Sequence, residues 1–215
     1  VIEKVEKGQV LARKIPSTNG KNGLKVTGEE VEAESGNDIT LEESENTTLS
    51  EDGFALISEV DGMASFNNKV LEISDLYVVD EIGVKSGNVN FGGNILVKGN
   101  VKPGYKIYAS RNIKILGNVE KAHLRAGGNI QIEQSFFGKG DGNLEAVNDI
   151  IVSFVESATL EAKNNLIINK GIMNCEVLVT GKVVALTHKG KVIGGHISSG
   201  GGLDVRELGN AKGTP

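Results

Sequence analysis

The sequence predicts an all-β chain, a single-stranded parallel β-helix preceded by a small antiparallel β domain. Three observations lead there. A polar residue followed by an aliphatic-x-aliphatic triplet recurs at Asn94, Asn112, Asn129, Asp149, Asn165 and Lys182, with spacings of 18, 17, 20, 16 and 17 residues. Repeats of this kind belong to stacked units, none of which can bury a hydrophobic face alone. Each unit is too short for a pair of helices and alternates apolar with polar residues, a strand period rather than a helix period. Composition agrees: 29 Gly in 215 residues, three Pro and no Trp describe many tight turns and small strands.

Residues 1–82 form the expected first domain. Short strands are predicted at Gln9 to Ile15, Asp38 to Leu41, Phe54 to Ser58, Met63 to Phe66, Lys69 to Ile73 and Leu76 to Asp80. Asn19-Gly20, Asn22-Gly23, Asp52-Gly53, Asp61-Gly62 and Asn67-Asn68 supply turns, since Gly and Asn take positive φ at little steric cost. Asp61-Gly62 and Asn67-Asn68 are spaced like hairpin tips. Twelve acidic residues and no Lys or Arg lie between Glu29 and Asn68. They lack the Asp-x-Asp-x-Asp-Gly spacing of a calcium loop and read as a solvated face.

Residues 83–208 form the expected β-helix. Its first strand register runs Ile95-Leu96-Val97, Ile113-Lys114-Ile115, Ile130-Gln131-Ile132, Ile150-Ile151-Val152, Leu166-Ile167-Ile168 and Val183-Val184-Ala185. A second runs Ile107-Tyr108-Ala109, Leu124-Arg125-Ala126, Leu144-Glu145-Ala146, Leu160-Glu161-Ala162, Val177-Leu178-Val179 and Ile197-Ser198-Ser199. Alternation points the first and third residue of each triplet inward and the second outward. A looser third stretch, such as Gly99-Asn100-Val101 and Gly117-Asn118-Val119, completes each turn. Stacking places equivalent residues about 4.8 Å apart, so Asn94, Asn112, Asn129 and Asn165 are assigned to a structural hydrogen-bonded ladder, with Gly92-Gly93 and Gly127-Gly128 at its corner. Residues 209–215 read as a tail leading to a missing C-terminal region, and a start at Val1 reads as a fragment or processed product.

The outward positions are where a partner would be met. Ile151, Ile167 and Val184 put β-branched apolar side chains on the outside of consecutive coils. Contiguous apolar surface of that kind is normally covered, by the first domain or the tail, or by a second copy or another protein. They are the candidate interface. In the other outward column Arg125 precedes Glu145 and Glu145 precedes Glu161. A carboxylate pair at coil spacing could suggest acid–base work on a sugar, but no flanking aromatic or His offers a sugar platform.

No residue is assigned to catalysis, to a cofactor or to a metal. His123 and His196 lie four coils apart, and with His188 they do not make a three-imidazole zinc site. His188 to Gly195 lacks the phosphate-loop spacing and reads as a loop whose Gly pair makes a corner. Cys175, the single cysteine, reads as a small buried apolar side chain, compatible with a reducing cytosol. Residues 1–85 hold 8 basic and 18 acidic side chains, and residues 86–215 hold 15 and 10. An acidic first domain and a basic surplus without aromatic platforms both argue against nucleic acid. There is no apolar run long enough to span a membrane and no signal-peptide pattern in this segment. Ile95, Val101, Ile107, Ile113 and Val119 fall at intervals of six, as in left-handed hexapeptide acyltransferases, but the interval then fails at Leu124.

Gly8-Gln9-Val10-Leu11-Ala12-Arg13-Lys14, with Gly20 and Gly23 ahead of Val26-Thr27-Gly28, resembles the opening of the flagellar assembly protein A family. Ser86-Gly87-Asn88-Val89, Phe91-Gly92-Gly93-Asn94-Ile95, Gly117-Asn118-Val119-Glu120, Ala126-Gly127-Gly128-Asn129-Ile130 and Ile193-Gly194-Gly195 extend the resemblance over nearly the whole chain. It implies a bacterial cytoplasmic protein with an N-terminal β domain and a right-handed parallel β-helix, in a family that has no catalytic motif to carry over. Similar β-helices in a division inhibitor and in bactofilin filaments imply dimerisation or polymerisation. The expected function is a non-enzymatic scaffold acting as a homo-oligomer or through protein partners. A hexapeptide-type acyltransferase and a carbohydrate-active β-helix enzyme are the alternatives.

Overall fold

A computed structural model of the chain describes residues 3–67, 70–185 and 190–209. The described residues contain strands, turns and bends and no helix. The chain divides into two units, Val1–Ser74 and Asp75–Pro215.

The first unit is built of small antiparallel sheets. Glu3–Val5 and Val70–Ser74 flank Gly62–Asn67, Val10–Arg13 and Thr47–Leu49 flank Ala55–Ser58, and Gly23–Leu24 pairs with Glu30–Val31. The buried apolar set is correspondingly small, with Val5, Ala55, Leu56 and Ile73 at its centre. Thr47 is buried beside them, and its hydroxyl accepts a hydrogen bond from the Ser44 N–H at 2.8 Å. The strand expected at Asp38 to Leu41 does not form. Its acidic flanks leave no apolar face to bury, and Ile39 is exposed. Asp38 instead faces the Lys14 ammonium at 2.6 Å, which holds its carboxyl below the usual value. Asp61-Gly62 is not a hairpin tip, because the strands on either side of it belong to different sheets. The tip expected at Asn67-Asn68 falls partly outside the described residues.

The second unit is a parallel β-solenoid of about seven turns. Leu76–Val79 lies parallel to Asn94–Val97, with Tyr77 opposite Ile95 and Val79 opposite Val97. That strand is therefore the first rung of the solenoid, and the boundary expected at 82/83 moves to 74/75. The phrase was missed because Leu76 occupies the position that holds Asn or another polar residue in later coils. Above it the first register stacks Ile95, Ile113, Ile130, Ile150, Leu166 and Val183. The second stacks Ile107, Leu124, Leu144, Leu160, Val177 and Ile197. The third stretch also forms a continuous inward column, Ile82, Val101, Val119, Phe136, Val155, Ile172 and Val192, all buried.

The uneven coil lengths are absorbed at corners. Between Phe137 and Gly142 four residues face the single Ser157 of the next coil, which accounts for the 20-residue spacing. In that next coil Ser153 alone stands where its neighbours have Glu133-Gln134 and Asn169-Lys170, giving the 16-residue spacing. Left-handed backbone recurs at the first of these corners, at Lys121, Lys139, Ser157, Asn174 and Gly194 in successive coils. The run expected to be a loop near Gly194-Gly195 is a strand, Lys191–Ser199, kinked by this glycine pair. His188 and the tail at 210–215 lie outside the described residues.

Candidate interaction faces

Each outward face of the solenoid is a grid whose rows are coils and whose columns are set by strand register. The asparagine column is tied together mainly through side-chain oxygens. Asn94 Oδ1 accepts from the Asn112 Nδ2 at 2.9 Å and from the Asn112 N–H at 3.2 Å. Asn112 Oδ1 accepts the Asn129 N–H at 2.8 Å, and Asn129 Oδ1 accepts the Asp149 N–H at 3.0 Å. Asp149 Oδ1 accepts both the N–H and the Nδ2 of Asn165, whose own Oδ1 accepts the Lys182 N–H at 2.9 Å. A corner N–H that no strand partner reaches is thereby satisfied in each step. Asp149 shows that the acceptor is the indispensable half of the group.

At the foot of this column Asp75 takes the Asn94 Nδ2 at 3.0 Å and the Arg111 guanidinium at 2.7 Å. A second, shorter ladder occupies another corner: Asn100 Oδ1 accepts the Asn118 N–H at 2.8 Å, and Asn118 Oδ1 accepts the Ser135 N–H at 3.2 Å. The repeated Gly-Asn-Val phrase at 99–101 and 117–119 was its signal. Replacement by Ser135 in the following coil concealed it.

Ile151 lies directly opposite Ile167, and Ile167 opposite Val184. Each is half-buried. Gln131 precedes them in the same column and Asp204 follows, so the apolar run is bounded by polar residues at both ends. A second apolar cluster escaped sequence reasoning. Phe137 and Phe154 have ring centroids 6.2 Å apart on the outside of the third face, and the Phe137 column continues through Glu156 to Met173 and Ile193. Alternation at Ser135-Phe136-Phe137 sends Phe136 into the core and Phe137 outward, but the irregular corners hide the register that joins Phe137 to Met173.

The charged column is assembled as expected from coil spacing, with Arg125 opposite Glu145 and Glu145 opposite Glu161. The Arg125 Nε lies 3.5 Å from the Glu145 carboxylate. His123 and His196 share one column but are separated by Asn143, Thr159 and Glu176. Among the described residues no group of three or more His, Cys, Asp or Glu could hold a metal ion. Cys175 is buried, its thiol donating to the Met173 carbonyl at 3.2 Å, and burial pushes its pKa up to about 11. A neutral buried thiol is a packing group rather than a nucleophile. No helix among the described residues is long and apolar enough to cross a membrane.

Family models match on both sides of the unit boundary: the Flagellar Assembly Protein A N-terminal region over residues 1–69, and the Flagellar Assembly Protein A beta solenoid domain over residues 75–215. The chain belongs to the flagellar assembly protein A family. Its solenoid match begins at Asp75, the residue at the foot of the asparagine column. No curated protein and no solved structure matches the chain.

Proposed function

We propose that this member of the flagellar assembly protein A family is a non-enzymatic cytoplasmic scaffold, in which the solenoid presents a rigid outer face to a protein partner or to a second copy. The observation that supports this reading most is the apolar run Ile151, Ile167 and Val184, held at coil pitch on the outside of three consecutive turns. Parallel stacking fixes such a surface without side-chain adjustment, so little conformational entropy is lost when a partner docks. The carboxylates of the Arg125 column arise from stacking, and Arg125 is paired with one of them.

The test is a pair of measurements on the full chain. Light scattering over a concentration series reads self-assembly, and co-purification from cells of the source type reads capture of a partner. Thermal stability with acyl-CoA or oligosaccharides reads the enzyme alternatives, for which a large ligand-dependent rise in Tm is required. Such a rise, with neither assembly nor capture, refutes the scaffold. Ile167→Asp is expected to weaken association while leaving the fold intact. Unchanged association in a folded variant removes this face from the contact.

A further inference from the structure

The column that holds the apolar run reads, in successive coils, Val78, Leu96, Lys114, Gln131, Ile151, Ile167, Val184 and Asp204. The cation Lys114 lies two coils before the β-branched run and the anion Asp204 one coil after it, with Leu96 and Val78 continuing the column beyond Lys114. Lys114 and Asp204 are both exposed. Asp204 has no ion-pair partner among the described residues, and Lys114 has a solvent-exposed one at 3.4 Å, Glu133. Exposed pairs of that kind contribute little, so the ammonium stays open to a further carboxylate.

We propose that this column is a self-complementary docking surface for a second copy of the chain, with the two solenoids antiparallel. The inference rests on the self-association arm of the proposed function and names its geometry. A two-fold axis running along the strand direction, midway between the Ile151 and Ile167 coils, reverses the order of coils in the partner. Ile151 then meets Ile167 of the other copy, Gln131 meets Val184, and Lys114 meets Asp204, each contact occurring twice as an isologous interface demands. A parallel pairing instead sets Lys114 against Lys114 and Asp204 against Asp204, a like-charge juxtaposition that disfavours it. Five coil steps of about 4.8 Å give a contact roughly 24 Å long. One sheet face of that length is small beside the ~800 Å² per partner of a standard interface, so the dimer is weak and concentration-dependent.

Charge exchange tests the pairing. Sedimentation velocity is run on the full chain at low salt for the parent, Lys114→Asp, Asp204→Lys, the double variant and a 1:1 mixture of the singles. The parent is expected to dimerise. Each single variant is expected to dimerise about 3- to 10-fold more weakly, a size set by two exposed charge pairs. The mixture and the double variant are expected to recover the parent's behaviour, because every charged contact is again between opposite signs. Unchanged melting curves establish that all variants remain folded. Single variants that dimerise like the parent overturn the antiparallel pairing and leave self-association itself standing. A parent that stays monomeric throughout overturns both.

Discussion

Asn112→Ala removes two hydrogen bonds at once, the one donated to its Oδ1 by the Asn129 N–H and the one its Nδ2 donates to Asn94 Oδ1. The Asn112 N–H keeps its acceptor, Asn94 Oδ1. A net contribution of about 0.5–1.5 kcal/mol per bond sets the loss at roughly 1–3 kcal/mol. Water can reach the vacated position, because Asn112 is exposed, so the expected cost is about 1–2 kcal/mol. For a unit of this size each kcal/mol lowers Tm by roughly 2–4 °C. Asn118→Ala is the internal comparison: its side chain accepts one hydrogen bond, from Ser135, and about half the loss is expected. Amide hydrogen exchange adds a site-specific readout, with protection lost first at Asn129. Equal destabilisation by the two variants, or an Asn129 amide as protected as in the parent, would refute the ladder argument.

Phe136→Ala empties a fully buried position in the third inward column and should cost about 3–5 kcal/mol in urea unfolding. Gly93→Ala places a methyl carbon 2.2 Å from the Asp75 carbonyl oxygen. Backbone has to move there, at about 1–3 kcal/mol, with the Asn94–Asp75 hydrogen bond loosened. The Cys175 thiol keeps its proton up to about pH 11 in the folded chain, whereas the unfolded chain releases it near the ordinary value of 9.0. The unfolded state therefore binds fewer protons in that interval, so stability should fall between these pH values. The decline should be smaller in Cys175→Ala. Native Cys175 should also resist alkylation until denaturant is added.

What the sequence disclosed follows from how each feature is encoded. The inward pairs of the first and second registers are legible because period-two alternation persists through every coil, from Ile95 and Val97 to Val183 and Ala185. The Asn94–Asn165 column is legible because a column of like residues repeats at the coil length. The first rung was hidden by Leu76, an apolar residue in a polar column. The third column was hidden by corners of unequal length on both sides of Phe136 and Val155. In the first unit, Thr47–Leu49 was not among the expected strands, being three residues long with a single apolar one. It becomes a strand through pairing with Ala55–Ser58, 47 opposite 58, a partnership that no local pattern records. The outer apolar run at Ile151, Ile167 and Val184 was visible as a pattern, and the charge beyond Val184 emerged only when Asp204 was placed in register.

The extrusion at Lys139–Asp141 has a use beyond explaining a long repeat. Three exposed residues leave the winding there, between the buried Gly138 and Gly142, and return without disturbing the rungs on either side, since Phe137 and Gly142 both keep their partners. A tag spliced between Lys139 and Gly140 would accordingly be displayed at a known height on an otherwise intact rod. The same elbow is a natural place for related chains to grow or shed segments while their winding stays unbroken.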